Sequence, residues 1–166
     1  SALCGSLRLD ILDLGRTGAA VLRFPSGECF LESPVRGVRA GYSTAREVAV
    51  PYLERNHIGK VSWLYLSGVE PSRIRWAWDV LDRVAVRNVL VHRSASSDSL
   101  VFQFLKYAQS RGARLVELTS GDSLGLDGVP AVVETEGHLR MDCRGARLML
   151  EQGAWRIVNG KGRELT

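Results

Sequence analysis

A chain of 166 residues with 45% hydrophobic content can bury one sizeable core and has the length of a single domain. Its 22 Lys+Arg against 18 Asp+Glu give a net charge of +4, a modest basic excess that permits contact with phosphates or anionic lipid without requiring it. No apolar run approaches the ~18 residues of a membrane span, and Ser1 to Leu12 lacks the regions of a signal peptide. Cys4, Cys29 and Cys143 form no CxxC pair, which excludes a zinc ribbon.

Leu7 to Leu12 (LRLDIL) and Ala19 to Phe24 (AAVLRF) read as strands, and Glu28 to Glu32 as a third after the Ser26-Gly27 turn, so the chain opens as a β-meander. Ser33 to Tyr42 is a loop holding Pro34, Gly37 and Gly41. Thr44-x-x-Glu47 is a capping box for a helix to about Asn56, with Gly59 as its stop. Val61 to Leu66 is an apolar run suited to a strand buried on both faces. Ser72 to about Asp82 is helical, with Ile74, Trp78 and Leu81 on one stripe. Asn88 to Val91 is a strand. Ser97 can cap a helix from Asp98 to Arg111, which Gly112 ends, and Arg114 to Leu118 is the strand after it. From Gly121 onward, short alternating strands are cut by glycine turns with no helical period. The expected fold class is α/β, with mixed sheets and flanking helices, in one domain over residues 1–166.

Several strings then gain a common meaning. "LDLGRTGA" (Leu12 to Ala19), a "PSG" turn (Pro25 to Gly27), "LESP" (Leu31 to Pro34), "EVAVPYLERNHIGKVSWLYLS" (Glu47 to Ser67) and "GARLMLEQG" (Gly145 to Gly153) stand in this order. They resemble LDVGQGDA, the turn after it, LIDAG, VVLPYLRSRGIKKLDYLILS and GGRRFLLTGD in the metallo-β-lactamase-like domain of the ComEC competence proteins, membrane proteins of DNA uptake. The match at Pro51 is specific, because a proline inside a helix is costly. The resemblance runs from about Leu7 to Gly153, and the family's later PHHGS-type segment has no counterpart. It therefore implies a truncated metallo-β-lactamase-like fold.

In metal-bearing members, the strand matching Val61 to Leu66 leads into HxHxDH, whose imidazoles and carboxylate hold two zinc ions and lower the pKa of a bridging water. On this chain the resemblance puts Gly68, Glu70, Ser72 and Arg73 at those positions. It also puts Gly18, Glu32 and Gly153 where the family has supporting acids. A guanidinium has no lone pair to offer. A cation about 4 Å from a dication costs on the order of 8 kcal/mol at an effective dielectric of ~20. The expectation is a hydrolase fold with no catalytic residues, no metal and no cofactor.

Arg73 and Arg75 have a bland reading, a solvated helix face or an Arg73 to Glu70 pair at the helix start. They also have a functional one, in which Arg16, Arg36, Arg39, Arg73 and Arg75 line the emptied cleft and contact DNA phosphates. Trp78 is expected in the core and Trp76 partly buried, with stacking on a base as its functional alternative. Asp13 is expected to organise its turn. His57, His92 and His138 lack sequence partners and read as structural or exposed. Ser96-Ser97-Asp98 reads as a cap, and Cys29 as a buried strand residue.

The resemblance thus implies a soluble, extracytoplasmic domain of a multi-span cell-membrane protein, with DNA and the membrane-embedded part of the same parent as partners. Two alternatives stand beside it: an interaction or scaffold domain without nucleic-acid affinity, and a residual metal-dependent hydrolase or nuclease.

Overall fold

The computed structural model describes residues 7–15, 17–35, 38–39, 41–93, 98–143, 145–151 and 153–159, with the side chains of Arg39 and Asn159 left undescribed. The chain opens with Arg8–Asp13 (β1), Gly18–Arg23 (β2) and Cys29–Glu32 (β3), an antiparallel meander. A hairpin of Val38–Arg39 (β4) and Tyr42–Ser43 (β5) occupies part of the loop expected after it. A π-helical segment, Ala45–Ala49, runs straight into the α-helix Val50–Arg55 (α1). Next come Lys60–Leu66 (β6), Pro71–Arg83 (α2), Ala85–His92 (β7), Ser99–Ser110 (α3) and Arg114–Leu118 (β8). Ser123–Leu126 (β9), Val129–Val133 (β10), Leu139–Cys143 (β11), Ala146–Glu151 (β12) and Ala154–Asn159 (β13) form the rest.

Two sheets result, one in the order β1-β2-β3-β6-β7-β8 and one in the order β13-β12-β11-β10-β9. In the first, β3, β6, β7 and β8 run parallel, so their carboxyl ends share one edge. The period of two along a strand sorts its side chains between two cores. Val21, Leu31, Leu64, Leu66, Val89 and Val91 pack with the helices. Leu22, Phe30, Tyr65 and Leu90 pack with the second sheet. β6 is therefore buried on both faces, as its apolar run predicts.

The outer face of the second sheet is polar. Arg140 pairs with Glu134 at 2.9 Å and Asp142 at 3.6 Å, Arg147 with Asp142 at 3.1 Å, and Arg156 with Glu151 at 2.6 Å. Such pairs contribute little stability each, but they let an antiparallel sheet face water without a further layer. Among the described residues no helix is long and apolar enough to cross a membrane.

Three local expectations are corrected. Thr44 makes no side-chain cap; its Oγ1 instead accepts from Trp76 Nε1 at 2.9 Å. The π-helical turn explains Pro51: Val50 N–H reaches back to Ala45 O, and Pro51 then sits in the first turn of α1, where a missing N–H costs least. Ser97 lies outside the described residues, and Asp98 is the cap of α3, accepting from Leu100 N–H at 3.0 Å.

The tryptophans reverse their expected roles. Trp76 is fully buried, and Trp78 is half-buried, stacked on Tyr107 at 4.8 Å and beside Phe104 at 5.9 Å. Neighbours on both flanks of α2 widen its buried arc beyond one stripe, and the indole whose N–H finds a buried oxygen takes the interior side. Trp76→Ala should cost about 3–5 kcal/mol in urea unfolding. A loss below about 1 kcal/mol would show that this indole is not a core side chain.

Candidate functional site

The site lies where the carboxyl ends of β3 and β6 meet the start of α2. Pro71 opens α2 in its first turn and Glu70 precedes it in extended conformation, so the chain turns sharply after β6 and directs Arg73 back towards the strand ends. Arg73 is only 4% exposed. Its Nε donates to Glu70 Oε2 at 2.9 Å, and its Nη1 donates to Ser33 O at 2.8 Å and Ser67 Oγ at 2.7 Å. Ser33 Oγ donates in return to Arg73 O at 2.7 Å, and Ser33 N–H to Tyr65 O at 2.8 Å. One guanidinium thus ties together the ends of two parallel strands and the first turn of a helix.

Beside it stands Glu32, 1% exposed, with both carboxyl oxygens enclosed and without a hydrogen-bond partner. Burial pushes its pKa up to about 7, opposed by the Arg73 charge and by the nearby N–H groups of Ala20 and Gly153. The Tyr65 hydroxyl, which donates to Gly137 O at 2.5 Å, is raised as well, first by burial and then by Glu32. Glu32 and Arg73 face a cleft of about 190 Å³, counted with its open mouth, that Thr17, Gly18, Pro34, Val35 and Gly153 complete.

Gly18, Glu32, Arg73 and Gly153, four positions far apart in sequence, therefore line one space. Gly18 and Gly153 touch backbone to backbone: a Cβ on Gly153 would lie 2.5 Å from Gly18 O, and one on Gly18 would lie 3.0 Å from Gly153 O. Gly153 also holds a φ of +83°, which favours glycine. Gly68, Glu70 and Ser72 flank the cleft without lining it. Glu70 folds its carboxylate over Gly68, where a Cβ would collide with it. Ser72 Oγ donates to Val35 O.

Of the five arginines expected to line a basic cleft, Arg73 is in its wall. Arg75, two residues on, is exposed on another side of α2 and has no ion pair among the described residues. Arg16, Arg36 and the Arg39 side chain lie outside the described residues. Asp13 organises its turn, accepting from Gly15 N–H at 2.9 Å. His92 Nε2 is 3.3 Å from Ser120 Oγ, and His138 Nε2 is 4.0 Å from Glu136. His57 ends α1 with a φ of +56°. Cys29 and Cys143 are buried, and burial pushes the Cys29 thiol up to about 12. Sequence reasoning missed Ser33 and Ser67; serines at the ends of adjacent parallel strands, beside a buried arginine, are the signal in retrospect.

No family model and no curated protein matches the sequence. Among solved structures, the chain is similar to CmlA, a diiron β-hydroxylase from Streptomyces venezuelae, with a TM-score of 0.55 and 14% identity over 86% of this chain and 29% of that one. The chain thus spans under a third of the length of that neighbour. The likeness shows the fold: a metallo-β-lactamase-like fold, with two sheets and flanking helices.

The residues at the cleft do not fit a metal centre. Among the described residues no group of three or more His, Cys, Asp and Glu is placed to hold an ion. A guanidinium stands in the wall, and the Gly18 to Gly153 contact leaves no room for carboxylates there. Gly18→Asp and Gly153→Asp should each lower stability by more than about 1 kcal/mol. A neutral effect for both in denaturant unfolding would show that the backbone contact is loose.

Glu32 sets a pH dependence whose sign follows from its raised value. Below the unfolded carboxyl range the group is protonated in both states; between that range and about 7 the folded state holds the extra proton, so stability falls as pH rises. The full loss is on the order of 3 kcal/mol. Glu32→Gln should therefore be more stable than the parent chain near pH ~8 and match it near pH ~4 in thermal unfolding. Equal stability at both values would show that Glu32 is not held in an unfavourable charged state.

Proposed function

We propose that this chain is a non-catalytic metallo-β-lactamase-like domain of a ComEC-like DNA-uptake membrane protein, exposed on the extracytoplasmic side. The observation that carries the non-catalytic part is the buried Arg73, which holds Glu70, Ser33 and Ser67 at the position of a metal-binding histidine in the family. The order of LDLGRTGA, LESP and EVAVPYLERNHIGKVSWLYLS supports the competence reading.

DNA contact in this account is sequence-independent and electrostatic. Arg75 is exposed, and Arg16 and Arg36 adjoin in sequence Thr17 and Val35, which line the cleft. The burial of Arg73 assigns it to holding the cleft together, with the exposed Arg75 making backbone contacts. A second reading, a domain that packs against the membrane-embedded part without touching DNA, is favoured by one fact: three of the N–H groups of Arg73 are already answered by protein oxygens.

Single-stranded DNA should bind at low salt, weaken steeply as salt rises, and lose about one unit of salt slope in Arg75→Glu. Absence of binding at low salt would leave the packing reading in its place. Zinc analysis after loading and dialysis should find well under one ion per chain, whereas stoichiometric zinc would overturn the non-catalytic assignment.

A further inference from the structure

The amino ends of β6, β7 and β8 meet the carboxyl ends of α1 and α2 on one edge of the six-stranded sheet, opposite the cleft. Arg55 ends α1, Lys60 opens β6, Arg83 ends α2 and Arg114 opens β8. All are exposed, and none forms an ion pair among the described residues. Lys60 stands opposite Ala85 and Arg114 opposite Asn88 on the intervening β7. With neighbouring strands about 4.8 Å apart, these cations share one continuous surface.

On the outer face of the second sheet, by contrast, Arg140, Arg147 and Arg156 are each answered by a carboxylate. The carboxylates near the amino edge are engaged elsewhere or stand alone. Glu28 accepts from Ser62 and Arg87, Asp82 accepts from the Tyr107 hydroxyl, and Glu54 is exposed without an ion pair. Arg111, whose Nη2 donates to Leu81 O at 3.1 Å, adds a further cation between α3 and β8. Helix macrodipoles account for the basic residues that end α1 and α2, but not for Lys60 and Arg114, which open strands. Like charges left unpaired on one face oppose folding, so their counter-charge is to be sought outside the chain.

We propose that this edge is a docking face for an anionic bilayer, with Arg55, Lys60, Arg83 and Arg114 against its phosphate headgroups, and with the cleft and Arg75 turned away from the membrane. The choice of a bilayer over another polyanion rests on the membrane-protein reading above, and two observations support it. β1 runs parallel to β3 through two antiparallel pairings and starts at this same edge with Arg8, so a chain leading into the domain arrives there. Among the described residues the exposed large apolar side chains, Ile11, Tyr42 and Phe102, all lie off the segments that meet at this edge. No such ring is offered there for a base to stack on, and none for insertion below the headgroups.

Contact of this kind is electrostatic and reversible. Each Lys or Arg held at an anionic surface strengthens binding about fivefold, and a guanidinium can direct two parallel donors at one phosphate. The attraction falls off within a Debye length, about 10 Å at ~0.1 M salt. Adsorption at headgroup level is therefore lost as salt rises.

Flotation with vesicles of equal parts phosphatidylglycerol and phosphatidylcholine, against vesicles of phosphatidylcholine alone, tests the face. The parent chain should float with the anionic vesicles at low salt, stay behind with the neutral ones, and be released as salt rises. Lys60→Gln, Arg83→Gln and Arg114→Gln should each weaken binding about fivefold and together roughly a hundredfold, with the unfolding midpoint unchanged. Arg75→Gln at the opposite edge and Arg147→Gln on the outer face of the second sheet remove the same charge, and each should weaken binding less than about twofold. No flotation at low salt, or equal losses from Arg75→Gln and the edge variants, overturns the proposal. Duplex DNA is the competing polyanion: binding to it that the edge variants weaken, without flotation, overturns the bilayer assignment in favour of nucleic acid. Flotation that the edge variants weaken, without any DNA binding, supports the docking face and removes the DNA reading alone.

Discussion

A charged side chain that is 4% exposed is tolerable only where protein oxygens replace the water it has lost. Arg73 meets that condition with Glu70, Ser33 and Ser67, and the geometry around it follows from this requirement. Ser33 continues β3 and Ser67 continues β6, so both parallel strands must end level for one guanidinium to reach them. Pro71 and the extended Glu70 turn the chain at the angle that brings Arg73 inward. The same cation lies near Glu32 and, with the N–H groups of Ala20 and Gly153, limits without cancelling the cost of burying that carboxyl group.

A metal ion in a fold of this kind is a cross-link as well as a catalyst, because its ligands come from different strands and loops. Removing the ligands without replacement would leave strand ends and carboxylates facing an empty space. In this chain protein groups bridge the strand ends. The guanidinium supplies positive charge and directional donors, and the Gly18 to Gly153 backbone contact fills the space that acidic side chains would need. A fold of this kind does not by itself fix the chemistry of its cleft.

Much of this was legible in the sequence. Alternation and glycine turns placed the meander, the central α/β segment and the final run of strands. A doubly apolar stretch at Val61 to Leu66 identified a central strand. The convergence of Gly18, Glu32, Arg73 and Gly153 on one cleft is invisible to local periodicity, which carries no information about which loops meet. The burial of Arg73 was not legible, because the same Glu70 to Arg73 spacing serves equally well on a solvated helix face. Nor was the exchange between Trp76 and Trp78, in which Thr44 Oγ1, on a π-helical turn rather than in a capping role, accepts from the Trp76 indole.

The account depends on Arg73 being an internal cross-link. Its most direct test is the unfolding free energy of Arg73→Met, which keeps much of the side-chain length and removes the fork. Leaving Glu70, Ser33 and Ser67 without their donor should cost about 3–5 kcal/mol. Arg73→Lys should recover only part of this, since an ammonium cannot reproduce the planar geometry. An Arg73→Met chain that unfolds at the same denaturant concentration as the parent would contradict the account, because the strand ends and the helix start would then be held by something other than this guanidinium.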